Sequence, residues 1–66
     1  MKTFTVTAGS LSNPVTTTVQ IPAASGKLTP EQARQAARIG FGHTSGVIVT
    51  DGRDTYRLNG NSARKA

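Results

Sequence analysis

The most reactive side chain of this sequence is its only histidine, His43, which lies between glycines in the stretch RIGFGHTSG, residues 38–46. Glycine-rich loops can hold phosphates, and a histidine can act as a general base or as a metal ligand. Phosphate loops lead into the N-terminus of a helix, where unpaired N–H groups and the positive end of the dipole lie. This stretch instead follows a predicted helix, so we predict that Gly40 or Gly42 stops the helix in a left-handed conformation.

Neither His43 nor the carboxylates have the neighbours that catalysis or metal binding requires. The chain has no cysteine, one histidine and three acidic residues. Asp51 and Asp54 flank a predicted turn, where aspartate is favoured because it hydrogen-bonds to the local backbone. Ser45 is close to His43 in sequence, but no acid is placed to orient the imidazole. We therefore expect no enzymatic activity, no metal and no cofactor.

The basic residues carry the strongest functional signal. Eight lysines and arginines against three acidic residues give a formal net charge of +5. Such an excess favours polyanionic partners, with nucleic acid first and acidic protein surfaces second. Arginine dominates the second half of the chain, and its guanidinium group suits bidentate contacts with phosphate. The candidate contacts are Arg34, Arg38, Arg53, Arg57, Arg64 and Lys65.

The positions of these residues indicate phosphate contacts rather than recognition of bases. Arg34 and Arg38 are four residues apart and share one face of the predicted helix. Arg53 lies at the tip of a predicted hairpin, and Arg57 alternates with the apolar residues of its strand. The aromatic residues fall on predicted core positions, so no platform for base stacking is expected. We predict a non-enzymatic protein that binds nucleic acid, or a complex that handles it, mainly through phosphates.

A run of threonines supports an alternative function. Alternation places these residues on the face of the sheet away from the core, and they are Thr3, Thr5, Thr7, Thr16 and Thr18. They form either an ordinary solvated face or a flat docking surface for a protein or a second copy, and an edge strand could also extend a partner's sheet. The alternative is therefore an interaction or assembly module, such as a regulator, an inhibitor or a structural component, including one encoded by a phage or plasmid.

Two pairs of strands are predicted around the helix. Residues 2–7 and 15–21 alternate apolar residues with threonine and are separated by turn-forming residues, which predicts an antiparallel pair. Residues 47–50 and 55–58 form a second pair, for which Asp51-Gly52 favours a two-residue type I′ turn. Three successive apolar residues place the third strand at the centre of the sheet or call for a second subunit over Ile48.

The helix has the clearest signals. Thr29 suits the N-cap, Pro30 the first helical position, and Gln32 completes a capping box with Thr29. The apolar stripe is Ala33, Ala36, Ala37, Gly40 and Phe41. Because most of these residues are small, larger side chains of the sheet must fill most of the core, and we predict that these are Phe4, Val6, Val19, Val47 and Tyr56.

The order β-β-α-β-β predicts an α+β fold, with one helix packed on a mainly antiparallel sheet. Residues 1–58 form one domain, and residues 59–66 are a basic tail without apolar periodicity, which we expect to be flexible. A chain this short buries only about 60% of its unfolded surface, so a homo-oligomer is an option. No apolar run resembles a signal peptide or a membrane span, so we expect a cytoplasmic protein with no membrane contact.

Overall fold

The computed structural model of the protein describes residues 2–8, 14–22 and 26–66. Within these ranges the elements are, in chain order, β1 (Lys2–Ala8), β2 (Val15–Ile21), α1 (Pro30–Phe41), β3 (Ser45–Thr50), β4 (Thr55–Asn59) and β5 (Ser62–Lys65). The strands form one antiparallel sheet in the order β2-β1-β3-β4-β5, and α1 packs on one face. The predicted α+β class is confirmed. Among the described residues, no helix is long enough to cross a membrane.

The predicted pairing of the first two strands is confirmed. β1 and β2 are antiparallel, with Phe4 opposite Val19, and both side chains are buried under α1. Threonine and valine favour extended backbone, and their alternation gives each strand one apolar side. The predicted turn between these strands falls on residues 9–13, which lie outside the described residues.

The ends of α1 are capped by its own sequence. The Thr29 Oγ1 accepts a hydrogen bond from the backbone N–H of Gln32 at 3.2 Å, and Pro30 occupies the first turn. Gln32 Oε1, which would complete the capping box, is buried without a partner among the described residues. At the other end, Gly42 is left-handed with φ of 80°, and its N–H donates to the Arg38 carbonyl at 2.8 Å. The predicted helix stop is confirmed at Gly42.

The small residues of α1 let the helix lie close to the sheet. Ala33, Ala36 and Ala37 are fully buried. A Cβ at Gly40 would lie 3.0 Å from Thr17 Cγ2 and 3.2 Å from Val19 Cγ2, so a side chain there would require these neighbours to shift by a few tenths of an ångström. The largest fully buried side chains are Phe4, Leu58, Val6, Val47 and Val49.

The prediction that Tyr56 would fill the core is borne out only in part. Tyr56 is only partly buried at the edge of the core cluster, and Leu58, two residues further along β4, is fully buried instead. In the β4–β5 register Tyr56 lies opposite Lys65, whose side chain is exposed to solvent. A tyrosine at such a position keeps its hydroxyl group in water, whereas a leucine has no polar atom to satisfy.

β3 occupies the centre of the sheet, as predicted, with β1 on one side and β4 on the other. The predicted two-residue turn after it is wrong, because Thr50 pairs with Thr55 and the loop contains four residues. Asp51 organises this loop, since its Oδ1 accepts hydrogen bonds from the N–H groups of Arg53 at 2.9 Å and Asp54 at 2.8 Å. These side-chain bonds stabilise a longer loop that dipeptide preference alone does not predict.

The predicted tail, residues 59–66, contains a fifth strand. β5 pairs antiparallel with β4, and Ala63 is partly buried against the core opposite Leu58. The turn between the strands is anchored at Gly60, whose φ is 66°. The Gly60 N–H donates to the Thr44 carbonyl at 3.2 Å, and the Thr44 Oγ1 donates to the Gly60 carbonyl at 2.9 Å. A four-residue strand with one small apolar residue gives no periodic signal in the sequence.

Candidate functional site

One face of the sheet is left uncovered by α1. A row of cross-strand neighbours on this face runs over all five strands through Thr16, Thr7, Ile48, Arg57 and Arg64. A second row contains Thr18, Thr5, Thr50 and Thr55. These rows, with Asn59 and Ser62 beside them, form what we call the open face. The predicted placement of the threonines away from the core is confirmed, because those of β1 alternate with buried residues and those at 16 and 18 pair with them across the two strands.

The side chains of the open face change in chemical type from one edge of the sheet to the other. Its β2 and β1 side carries hydroxyl groups, two of which lie close together, since Thr7 Oγ1 and Thr16 Oγ1 are 3.2 Å apart. Ile48 lies at the middle and is 37% exposed. The β4 and β5 side carries the exposed guanidinium groups of Arg57 and Arg64. Positive charge is therefore concentrated at one end of a broad polar surface.

Arg57 and Arg64 are direct neighbours across β4 and β5. Asn59 and Ser62 form the next pair along the same two strands, and the four residues line a shallow hollow of about 270 Å³. Neither arginine forms an ion pair with a described residue. Like charges placed directly opposite each other destabilise a sheet. An anion bound between the two guanidinium groups would remove that repulsion.

The three carboxylates of the chain lie elsewhere. Asp51 Oδ2 is 3.0 Å from Lys2 Nζ, and Asp54 Oδ1 is 3.4 Å from Lys65 Nζ. Glu31 belongs to the first turn of α1, on the opposite side of the sheet from the open face. The positive charge of the arginine pair is therefore not compensated within the described residues.

Asp51 is a structural carboxylate rather than a reactive one. Its side chain is only 2% exposed. The backbone N–H of Asp54 has the largest effect on its pKa, and with the Arg53 N–H and the Lys2 ammonium it outweighs desolvation and lowers that pKa far below the ordinary value. Lys2 Nζ also donates to the Gly26 carbonyl and lies 5.8 Å from the centre of the Phe4 ring. Asp51 thus joins the start of β1 to the β3–β4 loop.

Arg34 and Arg38 lie on α1, in the layer opposite the open face. Together with Glu31, Gln35 and Ile39 they line a groove of about 510 Å³ on the outer side of the helix. Arg34 is half-buried, and its Nη2 donates to the Asn61 carbonyl at 3.3 Å, which ties α1 to the β4–β5 turn. The carboxylate of Glu31 in the same groove offsets part of the positive charge.

The six predicted contact residues therefore do not form one patch. Arg53 is exposed in the β3–β4 loop, and Lys65 lies on the helix side of β5, opposite Tyr56. The structure brings Arg57 and Arg64 together on the open face and keeps Arg34 and Arg38 together on α1. Arg53 lies in the β3–β4 loop, and Lys65 follows Arg64 in β5 but lies on the other face of the sheet.

His43 has an environment suited to a surface residue. It is exposed just after the helix, with its ring centre 6.3 Å from that of Phe41. No group of three or more histidines, cysteines or acidic residues that could hold a metal ion occurs in the described ranges. The left-handed conformation of Gly42 accounts for the glycine beside His43 as a helix cap.

Asn59 and Ser62 were not among the residues singled out by sequence. The sequence signal that could have identified them is the dipeptide Gly60-Asn61. This dipeptide is typical of a two-residue hairpin turn, and it lies between the residues that form β4 and β5. Pairing around that turn sets Asn59 opposite Ser62 and Arg57 opposite Arg64.

No protein-family model matches the chain, and no curated protein or solved structure matches it either. The open face is the surface whose geometry best supports a function.

Proposed function

We propose that this protein binds nucleic acid through phosphate contacts on its open face, without enzymatic activity. The observation that carries the proposal is the uncompensated pair formed by Arg57 and Arg64, which face each other across β4 and β5. Guanidinium groups bind phosphate oxygens in a bidentate manner, and two adjacent groups can span neighbouring phosphates or clamp a single one. A phosphate bound there replaces the repulsion between the two guanidinium groups with attraction between each of them and the polyanion.

The neutral part of the open face suits a contact along a strand of nucleic acid. Asn59 and Ser62 supply an amide and a hydroxyl group beside the arginines, and threonine hydroxyls extend across β1 and β2. Such groups donate hydrogen bonds to phosphate and sugar oxygens. The arginine pair supplies most of the affinity, and the hydroxyl groups set the orientation of the bound strand.

The chemistry of the open face favours binding with little sequence preference. Neither row of this face contains an aromatic side chain, since Phe4 is buried beneath α1 and Tyr56 lies on the helix side of β4. Stacking on aromatic rings is the usual way in which a sheet holds unpaired bases. Without it, contacts to phosphate dominate and binding is strongly dependent on salt.

The other predicted basic residues have a secondary role. Arg34 and Arg38 lie on α1, Arg53 lies in the β3–β4 loop, and Lys65 lies on the helix side of β5. They contribute through the net charge of +5, which attracts a polyanion over distance and accelerates association. Their removal lowers affinity less than the removal of the arginine pair does.

The test compares two double variants with the same change in net charge. Arg57→Gln with Arg64→Gln removes the arginine pair, and Arg38→Gln with Arg53→Gln removes two exposed arginines elsewhere. Fluorescence anisotropy with duplex DNA, single-stranded DNA and RNA is measured over a series of salt concentrations. The first variant is expected to lower the slope of log K against log salt by about 1.5 to 2, because two phosphate contacts are lost. The control variant changes that slope much less.

Two results would reject this assignment. Equal losses in the two variants would show a diffuse charge effect without a site on the open face. Absence of salt-sensitive binding at micromolar protein would exclude nucleic acid as the partner and leave the protein-interaction alternative. Circular dichroism of each variant confirms that the fold is retained before affinities are compared.

A further inference from the structure

The two edges of the sheet differ in length and charge. β5 is a four-residue edge strand that contains Arg64 and Lys65. β2 is a seven-residue edge strand with the sequence VTTTVQI, which contains no charged residue. Natural proteins protect exposed edges with charge, proline or short strands, because unpaired backbone groups recruit further strands. β5 has such protection, whereas β2 does not have it within its own length.

We infer that β2 is a pairing surface for a second copy of this chain. In an antiparallel sheet an edge strand points alternate N–H and C=O groups away from its partner. The outer side of β2 pairs with no strand among the described residues. A second β2 running in the opposite direction satisfies these groups and joins two five-stranded sheets into one.

The sequence of β2 is complementary to itself around Thr18. A two-fold axis at Thr18 places Val15 opposite Ile21 of the second copy and Thr17 opposite Val19. Residues directly opposite in an antiparallel pair lie on the same face, so helix-side residues meet helix-side residues. This register covers Val15, which is 55% exposed in the single chain. It also places both helices on one side of the joined sheet.

A second exposed aliphatic residue lies on α1. Ile39 is 59% exposed on α1 and is adjacent in sequence to Gly40, which packs against Thr17 and Val19 of β2. Association through β2 brings this turn of the helix toward the helix of the second copy. Among the described residues, Val15 is therefore an exposed large apolar residue that lies on the pairing strand itself.

The distribution of charge selects this edge for self-association. Three strand spacings of about 4.8 Å separate β2 from β4 and four separate it from β5, so both arginines of the pair lie beyond the screening length of about 8 Å at physiological salt. The pairing strands themselves bring no charged side chains together, although each chain carries a net charge of +5. Pairing through β5 would instead bring Arg64 and Lys65 of both copies together.

The first test uses charge at the centre of the proposed interface. Thr18→Lys places two lysines directly opposite each other on the two-fold axis, and Thr3→Lys adds the same charge on β1, an inner strand. Sedimentation velocity over micromolar to submillimolar protein is expected to show a dimer for the unaltered protein and for Thr3→Lys. Thr18→Lys is expected to raise the dimer dissociation constant at least about fivefold. An equimolar mixture of Thr18→Lys and Thr18→Glu is expected to restore the dimer.

The second test uses the absence of cysteine from the chain. Residues opposite each other in an antiparallel pair have Cα atoms about 4.5 to 5.5 Å apart, which suits a disulfide. Thr18→Cys is therefore expected to form a covalent dimer under mild oxidation, and Thr3→Cys is not. A monomer at every concentration overturns the inference. Equal cross-linking of the two cysteine variants, or failure of the lysine and glutamate mixture to associate, also overturns it. Circular dichroism of each variant checks that the fold is intact.

Discussion

The two faces of the sheet are made from alternate residues of the same strands, yet different physical constraints determine which residues each face contains. On the face under α1, Phe4, Val6 and Leu58 are completely buried, and close contact with small helix residues determines what fits. On the open face, Arg57 lies opposite Arg64, an arrangement that weakens the sheet. Stability is concentrated on one face, so the other can hold a pair of like charges that costs some stability.

The largest difference in the effect of a substitution on the free energy of unfolding is expected between two neighbouring residues of β1. Phe4→Ala leaves a cavity under α1 and is expected to lower the free energy of unfolding by about 3–5 kcal/mol. Thr3→Ala, on the opposite face, is expected to change it by less than about 0.5 kcal/mol, since Thr3 is exposed. Urea denaturation followed by circular dichroism measures both. Similar losses in the two variants would contradict the division of roles between the faces.

The close contact between α1 and β2 is expected to give the next largest effect. Gly40→Val adds a branched side chain where even a Cβ would lie 3.0 Å from Thr17 Cγ2. We expect a loss of up to about 3 kcal/mol from overpacking, measured by thermal and urea unfolding. Ile39→Val, at the adjacent exposed position, serves as the control and is expected to be nearly neutral. A stable Gly40→Val protein would show that α1 can move away from the sheet at little cost.

Asp51, in the β3–β4 loop, stabilises the fold through its negative charge. The pKa of Asp51 is lowered in the folded state, by hydrogen bonds from the Asp54 and Arg53 N–H groups and by Lys2. The folded protein therefore holds the carboxylate ionised more strongly than the unfolded chain does. Its stabilisation is fully present above the unfolded pKa of about 3.9 and is lost as pH falls toward the folded value.

Asp51→Asn preserves the shape of this side chain but removes its charge. We expect a loss of about 1–2 kcal/mol at neutral pH, because hydrogen bonds to charged groups are stronger than neutral ones. Unfolding curves between neutral pH and pH 2 are expected to show a smaller decrease in stability for the variant than for the unaltered protein. Parallel pH profiles would mean that another group causes the acid sensitivity.

The smallest expected effect has the opposite sign. Arg57→Thr removes the repulsion with Arg64 and places a residue of high strand preference on β4. It is expected to raise the free energy of unfolding by about 0.2–1 kcal/mol while lowering affinity for nucleic acid. Added salt is expected to stabilise the unaltered protein more than this variant. A loss of stability in Arg57→Thr would show that the arginine packs on the sheet and contributes to the fold.

The helix and the first two strands could be predicted because their signals are local. Capping at Thr29, the small-residue stripe of α1 and the alternation along β1 depend on residues close together in the chain. β5 could not be predicted by periodicity, since its place depends on the edge that β4 offers. The four-residue loop likewise depends on where the Asp51 side chain finds donors.

The candidate site was predictable by residue type but not by arrangement. The excess of basic residues indicates a site made of lysines and arginines, and six of the eight lie in the second half of the chain. Which of them become neighbours depends on strand register, and only the turn at Gly60 sets Arg57 opposite Arg64. The α1 arginines share a face because helical periodicity is fixed, yet the helix lies on the other layer of the fold.

The pairing of β1 with β3 has a consequence for the speed of folding. β1 and β2 are consecutive strands, as are β3, β4 and β5, so each group can assemble through short loops. The β1–β3 pairing instead joins distant parts of the chain, with Val6 beside Val49. Closing a long loop carries an entropic barrier before the contacts form. We therefore expect the joining of the two groups of strands to limit the rate of folding, and Val49→Ala to slow refolding.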